Sequence, residues 1–374
     1  MRRFLRSHTT EATPAVPTSP LSRPLDIVLH IGMGKTGTSS IQFFLRDNRE
    51  RLSELGLLYP KSPGGGRHHQ LGLFLKPEEE LSTSPEWARQ KQPDAASFRK
   101  AFRRRLFSEI EKSGLSRVLL SDEILFGSSE PTLRRLRRFT DRIAKSTRVV
   151  TYLRRQDDHM VSRYQQLVKV GWILRLRDWA QEDMSDLYDY YARLRRHEQL
   201  LAPNDLVVRR YERDSFVNGS LYQDFLDAAG VDVSADDLEQ GPNRNQSLDA
   251  ESVEFLRLFN LYRVENEGAT PGLIDNRALG ARLAEVSSGP VLSLPASSLD
   301  GFMAQWAETN ELVARRFLAD ASGQLFRMPR KADNITTEQH LDPDRLDHFL
   351  TVLELPEQIH APLRTLVERE AKNR

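Results

Sequence analysis

The sequence predicts a three-layer α/β fold with a central parallel sheet and helical additions at its C-terminal end. Short apolar runs alternate with helical periods from Leu25 to Gly230, which implies right-handed crossovers and a sheet covered on both faces. The runs are continuously apolar, as buried parallel strands are. A glycine-rich loop joins the first run to the first helix, the place where such folds hold ligands.

The first run, LDIVLHI from Leu25, stops at Gly32. Ile41, Phe44, Leu45, Leu52 and Leu55 then share one helical face, and Gly56 stands where a helix C′ residue belongs. After the turn formers PKSPGGG, Phe98, Phe102, Leu106 and Ile110 mark a helix feeding the strand RVLLS at 117–121. Leu133, Leu136 and Ile143 mark another helix, and Arg148 to Leu153 another strand. Met160, Val161, Tyr164, Leu167 and Val168 form the next helix, with Asp157 or Asp158 as its N-cap and Gly171 beyond its end. Asp205 to Tyr211 reads as a fourth strand and Ser215 to Ala229 as a helix closed by Gly230. The chain beyond Leu248 reads as mostly helical and polar, and 76–97 and 264–300 as surface excursions of weak periodicity. We expect a flexible tail over 1–24, one α/β domain over 25–330 and a helical extension over 331–374.

Composition narrows the function classes. The 374 residues carry 54 Lys plus Arg against 53 Asp plus Glu, so no global field draws the chain to nucleic acid or an anionic membrane. The basic runs Arg103 to Arg105 and Arg134 to Arg138 are interleaved with apolar residues, as on amphipathic helices with solvated faces, and no nucleic-acid partner is expected. There is no cysteine, which excludes disulfides and thiolate metal sites and fits a cytoplasmic location. No export signal, transmembrane segment or metal-ligand spacing is read from the sequence.

Between the first strand and its helix, Gly34, Lys35, Thr36, Gly37, Thr38 and Ser39 combine backbone freedom, one cation and several hydroxyls. This is anion-site chemistry: N–H groups close on phosphate oxygens and the helix N-terminus adds favourable potential. A Walker A loop needs a glycine where Leu29 stands, so an ATP-type site starts with a defect. Further on, Arg154 ends a strand and Ser162 follows eight positions later in a helix. An arginine at a sheet edge grips a phosphate with two donors, and a helix serine adds a neutral one.

The pair of motifs resembles the sulfotransferases that use 3′-phosphoadenosine 5′-phosphosulfate (PAPS), and among them the bacterial carbohydrate-type branch. The resemblance covers roughly residues 27–247 and implies a P-loop NTPase-like fold. It implies that Gly34 to Ser39 hold the 5′-phosphosulfate and that Arg154 and Ser162 hold the 3′-phosphate. It also implies an acceptor hydroxyl or amine on a carbohydrate or glycolipid, with no metal. Proline is common two positions after the strand-end arginine in that family; here Arg155 and Gln156 follow, which places Arg155 to share the phosphate. The tryptophan and the RKG motif of the cytosolic eukaryotic branch are missing. The segment Asn243, Arg244, Asn245, Gln246, Ser247 stands where relatives close over the nucleotide, and Arg244 is its cation. A small-molecule kinase and a non-catalytic nucleotide-binding module are the alternative readings.

Sulfuryl transfer to an alcohol needs a base for the acceptor proton and a cation for the departing phosphate. Lys35 suits the second task. For the first, His68 and His69 follow a flexible GGG segment and Glu123 follows the strand VLLS. The histidines are preferred, because an imidazole titrating near 6.5 is a better base at neutrality than a carboxylate near about 4.3. Arg209, Arg210 and Tyr211, at another strand end, are placed to meet an acidic acceptor.

Overall fold

Five strands order themselves by their apolar residues in the computed structural model, which describes residues 20–90, 94–241 and 247–372. They are β1 (Leu25–His30), β2 (Leu57–Leu58), β3 (Arg117–Ser121), β4 (Ala144–Leu153) and β5 (Asp205–Arg210), all parallel in the order β2-β3-β1-β4-β5. Side chains alternate across the sheet. Ile27 and Leu29 of β1 and Val149 and Leu153 of β4 join one apolar cluster, while Val28, Val150 and Tyr152 join the other. Each face is therefore dry and needs a helical layer.

Ile41, Phe44 and Leu45 of α1 (Thr38–Asp47), together with Phe225 and Leu226 of the Leu221–Ala229 helix, cover one face. The other is covered by the helices Ala95–Ser113, Glu130–Asp141 and Gln156–Lys169 and by much of the chain after residue 248. Among these later helices, Ala250–Glu267 is not polar as expected: Val253, Phe255, Leu256 and Leu258 are fully buried, and Phe255 stacks on Phe349 at 4.7 Å between ring centres. The Arg277–Val286, Ala296–Ala304, Ala307–Phe317, Leu346–Leu353 and His360–Lys372 helices pack around it.

Several boundaries differ from the sequence expectation. The helix after the glycine loop is interrupted at Asn48, whose amide donates to the Phe44 carbonyl and to the Glu239 carbonyl, so the turn ends there and a second short helix carries Leu52. β4 begins four residues early because Ala144 to Thr147 pair with β1 while remaining half exposed, which no apolar run signals. Neither Asp157 nor Asp158 caps the Gln156–Lys169 helix. Arg155 occupies the N-cap, and Asp157, inside the first turn, accepts the Asp158 N–H at 2.8 Å. The Leu221–Ala229 helix starts late, after short 3₁₀ turns, and Ser220 caps it. Leu21 is already buried, and Arg23 donates to the Ile110 carbonyl at 2.7 Å, so the chain is tied to the domain before Leu25.

The strand order places a topological switch at β1. The chain leaves β1 toward β2 and β3 on one side, then crosses from β3 to β4 on the other. In open parallel sheets the crevice at such a switch, at the carboxyl ends of the strands, is where ligands sit. The ends of β1, β3, β4 and β5 bring the glycine loop, Asp122–Glu123, Arg154 and Tyr211 to that edge.

Candidate functional site

The loop from Ile31 to Gly37 folds as a nest of backbone donors. Lys35 and Gly37 both have positive φ, at 65° and 73°, and Thr36 between them is buried. The hydroxyls of Thr36 and Thr38 donate to the Met33 carbonyl at 2.6 and 3.1 Å, which holds the loop against the start of α1. They are therefore turned inward. The first loop-to-helix bond is Ile41 N–H to Gly37 O at 2.9 Å, and among the described residues the N–H groups of Gly34 through Ser39 have no acceptor. No side chain caps α1. Successive unsatisfied N–H groups at a helix N-terminus form a concavity of positive potential. Two glycines allow it: a Cβ on Gly32 would lie 2.2 Å from Thr38 Oγ1, and one on Gly37 would lie 2.5 Å from Leu221 and 3.0 Å from Tyr211.

Cations gather at this nest without a direct ion pair among the described residues, although Glu123 and Asp158 lie within electrostatic reach of Lys35 and Arg154. Arg154 donates from Nη1 to the Lys35 carbonyl at 3.1 Å, and its backbone carbonyl is fixed by the Tyr190 hydroxyl at 2.8 Å. Its guanidinium lies 6.0 Å from the centre of the Tyr211 ring. Burial pulls the Lys35 ammonium down to about 8, helped by the charges of Lys169 and Arg154 and opposed by Glu123. Among the described residues none of Lys35, Arg154, Arg163 and Lys169 is in an ion pair, whereas Arg155, Arg175, Arg210, Arg257 and Arg330 all are. Arg163 even keeps a buried Nε without an acceptor. Burying cations in this way is costly unless an anion joins them.

His159 ties the helix of Arg154 to the loop. Its Nε2 donates to the Gly34 carbonyl at 2.9 Å and its Nδ1 accepts the Tyr188 hydroxyl at 2.9 Å. Burial first, and then the nearby Arg163 and Arg154, hold it well below the usual imidazole range, so it stays neutral with one proton fixed on Nε2. Lys169, at the other end of the helix, is placed by the C-terminal half of the chain. Its stem runs 3.0–3.2 Å from where a Cβ on Gly280 would stand, and its carbonyl accepts the Asn276 N–H at 3.0 Å. Burial lowers its ammonium as well. His159, Arg163 and Lys169 escaped the sequence reading, since a polar residue among Met160, Tyr164 and Val168 reads as a solvated face.

The candidate bases separate. His68 is fully buried, accepts the Ser121 N–H on Nδ1 at 3.0 Å and donates from Nε2 to the Pro60 carbonyl at 2.8 Å, stacked on Tyr59. Desolvation pushes it down to about 3. With both ring nitrogens committed, His68 braces the end of β3 instead of facing an acceptor. His69 is exposed at the start of a short helix, and its Nδ1 contacts only the Arg67 carbonyl at 3.2 Å. Glu123 is half buried at the end of β3, within electrostatic reach of Lys35. Asp122 beside it is committed elsewhere, accepting the Gly72 and Ile124 N–H groups at 2.7 and 3.1 Å, and burial raises it to about 7.

Other expected residues take different roles. Arg155 turns away from the loop, with Nε on Asp157 at 2.9 Å, so it does not join Arg154. Arg209 pairs with Asp227, and Arg210 with Asp320 and the Leu325 carbonyl, while Tyr211 alone faces the loop. Ser162 is half buried on the Arg154 helix with no hydrogen-bond partner among the described residues. Arg244 and its neighbours 242–246 lie outside the described residues. Among the described residues no group of three or more His, Cys, Asp and Glu is arranged to hold a metal, and no helix is long and apolar enough to cross a membrane.

Comparison with known proteins adds little. No family model matches the chain. A protein of Archaeoglobus fulgidus described only as uncharacterized is 28% identical over 143 residues, a match spanning 38% of this chain and 38% of that relative's length. Among solved structures, a sulfotransferase from Alicyclobacillus acidocaldarius aligns with 66% of this chain and 95% of its own, at 16% identity and a TM-score of 0.37.

Proposed function

We propose that the chain is a sulfotransferase that takes the sulfuryl group of PAPS and passes it to a hydroxyl acceptor. The observation that carries this reading is the meeting of two anion-binding devices on one carbonyl. The donor nest of Gly34–Ser39 and the guanidinium of Arg154 share the Lys35 peptide, and among the described residues neither makes a direct contact with a carboxylate. Two separated phosphates on one nucleotide fit that pair of sites better than a linear triphosphate. The donor set is cationic and N–H in character, as a nucleotide with a 3′-phosphate and a 5′-phosphosulfate requires.

In this reading the loop N–H groups and Lys35 bind the 5′-phosphosulfate, and Arg154 with Ser162 binds the 3′-phosphate. When bound, the nucleotide supplies an activated sulfuryl group. Lys35 neutralises the charge left on the phosphate oxygen when its bond to sulfur breaks. Glu123 accepts the proton of the acceptor hydroxyl as that oxygen bonds to sulfur, so the products are a sulfate ester and adenosine 3′,5′-bisphosphate. Lys169 and Arg163 enlarge the positive field, and His159 keeps the loop in place by holding the Gly34 carbonyl.

The test is transfer itself. Purified protein incubated with PAPS and a panel of hydroxylated acceptors is followed by mass spectrometry for a gain of one sulfuryl group. Sulfated product and stoichiometric bisphosphate support the reading. ATP-dependent phosphorylation of the same panel, with no sulfation, replaces it with a kinase.

A further inference from the structure

One polar group beneath the glycine loop has no partner. His30, the last residue of β1, is fully buried, and its Nδ1 lies 2.8 Å from the Ser121 hydroxyl of β3. Its other ring nitrogen, Nε2, is buried and meets no hydrogen-bond partner among the described residues. Buried polar groups are nearly always paired, so this exception calls for a physical reason.

The neighbours fix which nitrogen carries the proton. Gln42 of α1 donates from Nε2 to the Ser121 carbonyl and to the Ser121 hydroxyl, both at 3.1 Å. The carbonyl can only accept, which sets the orientation of the amide. The Ser121 hydroxyl therefore already accepts from Gln42. Among the described residues the acceptor in reach of its own proton is Nδ1 of His30. The imidazole proton then sits on Nε2. Burial pushes the ring down to about 3, so it stays neutral, and Nε2 is an N–H donor without an acceptor.

That donor stands against the loop. A Cβ on Gly32 would lie 3.1 Å from His30 Nε2 and 2.2 Å from Thr38 Oγ1, so the two atoms flank one point where the loop leaves the strand. Edge contacts with Phe225 and Tyr152, at 5.0 and 6.4 Å between ring centres, hold the imidazole in this orientation. In the free protein the Thr38 hydroxyl is committed to the Met33 carbonyl at 3.1 Å. Met33 loses little if that bond opens, because Thr36 also donates to it at 2.6 Å. A charged phosphate oxygen in the nest is a stronger acceptor than a shared carbonyl. Once the Thr38 proton turns to it, Oγ1 is free to accept.

We infer that His30 is a positioning residue of the anion site: when an oxyanion occupies the loop, its Nε2–H donates to Thr38 Oγ1 and keeps the Thr38 hydroxyl proton on the ligand. This inference rests on the reading of Gly34–Ser39 as a phosphate loop and adds to it a residue that does not touch the nucleotide.

The experiment joins nitrogen-15 NMR of the histidine rings in the full chain to calorimetry with adenosine 3′,5′-bisphosphate. The His30 proton is expected on Nε2, and its signal should move downfield on saturation. His30→Phe should weaken binding about tenfold. His30→Gln, which keeps a terminal N–H near the Nε2 position, should stay within about threefold of wild type, whereas His30→Asn, which reaches only Ser121, should lose as much as His30→Phe. Thr38→Val should lose about tenfold, and His30→Phe added to it should weaken binding no further, because His30 acts through Thr38. Melting curves without ligand check that each variant folds; if His30→Phe does not, the Gln and Asn variants carry the comparison. A proton on Nδ1, additive losses in the double variant, or equal losses for Gln and Asn overturn the inference. So does an Nε2–H signal unmoved by ligand, which gives the donor to a water shared with the unpaired Gln42 Oε1. If the bisphosphate does not bind wild type, the sulfotransferase reading fails instead, and the same signal is followed against inorganic phosphate. A shift abolished by Thr38→Val then supports the inference, and no shift overturns it.

Discussion

Raising the pH should weaken anion binding through Lys35. Burial and the neighbouring cations lower its ammonium to about 8, so in the free protein it carries a proton at pH 7 and has lost most of it at pH 9. A phosphate in the loop favours the charged form, and binding above pH 8 must therefore take up a proton. For a single group titrating at about 8, affinity for adenosine 3′,5′-bisphosphate falls roughly 25-fold between pH 7.5 and 9.5, or about 1.9 kcal/mol. The ligand's own phosphates finish ionising near pH 6 and do not contribute in this window. Calorimetry in two buffers of different ionisation enthalpy measures the uptake directly, which should approach about 0.9 proton at pH 9. The Lys35→Met variant should bind weakly at all pH values and lose the uptake. A flat affinity from pH 7.5 to 9.5, or uptake that survives Lys35→Met, refutes the reasoning; survival in Lys35→Met with loss in Lys169→Gln assigns the proton to Lys169. The same shift has a stability sign. Between the folded value of about 8 and the unfolded 10.5 the unfolded chain holds more protons, so the ligand-free protein gains stability as pH rises through that window, by at most about 3 kcal/mol. Lys35→Met should accordingly raise the melting temperature of the free protein at pH 7 while abolishing its ligand response.

Three further outcomes follow from individual side chains. Gly37→Ala adds a Cβ at φ 73°, 2.5 Å from Leu221, and should cost about 2–4 kcal/mol in denaturant unfolding along with nucleotide binding; unchanged stability would mean that the loop relaxes freely. Glu123→Gln should lose about a hundredfold or more in single-turnover sulfation while still binding nucleotide, and His69→Ala should react normally; the reverse pattern moves the base to His69. His68→Phe should destabilise by about 1–3 kcal/mol, because the Ser121 N–H and the Pro60 carbonyl lose buried partners, and equal stability would show those groups re-paired.

The fold was legible where burial is continuous. β1, β3 and the second half of β4 carry buried apolar runs, and their alternation with helices points to the parallel sheet, while β5 at the edge buries only Val208. β2 was missed because two leucines after Gly56 are too short a run to separate from a helix end. The glycine loop and Arg154 were legible because their residue types are set by local backbone and charge. The rest of the site depends on long-range contacts. Lys169 is oriented by Gly280 and Asn276, more than a hundred residues on, and no local period reports that. Of the two histidines, His68 is set aside for a related reason: reference pKa values favour imidazole, but His68 is enclosed between Tyr59, Pro60 and Ser121, and enclosure depends on the tertiary fold.

The central claim is that Arg154 and the glycine loop hold two separate phosphates of one nucleotide. Calorimetry comparing adenosine 3′,5′-bisphosphate with ADP, in wild type and Arg154→Ala, tests it most directly. The account predicts that the 3′,5′-bisphosphate binds wild type more tightly than ADP by a margin of about 1.5–3 kcal/mol, and that Arg154→Ala removes that margin while leaving ADP affinity unchanged. Equal affinity for the two nucleotides in wild type, or magnesium-dependent preference for ADP, would contradict it.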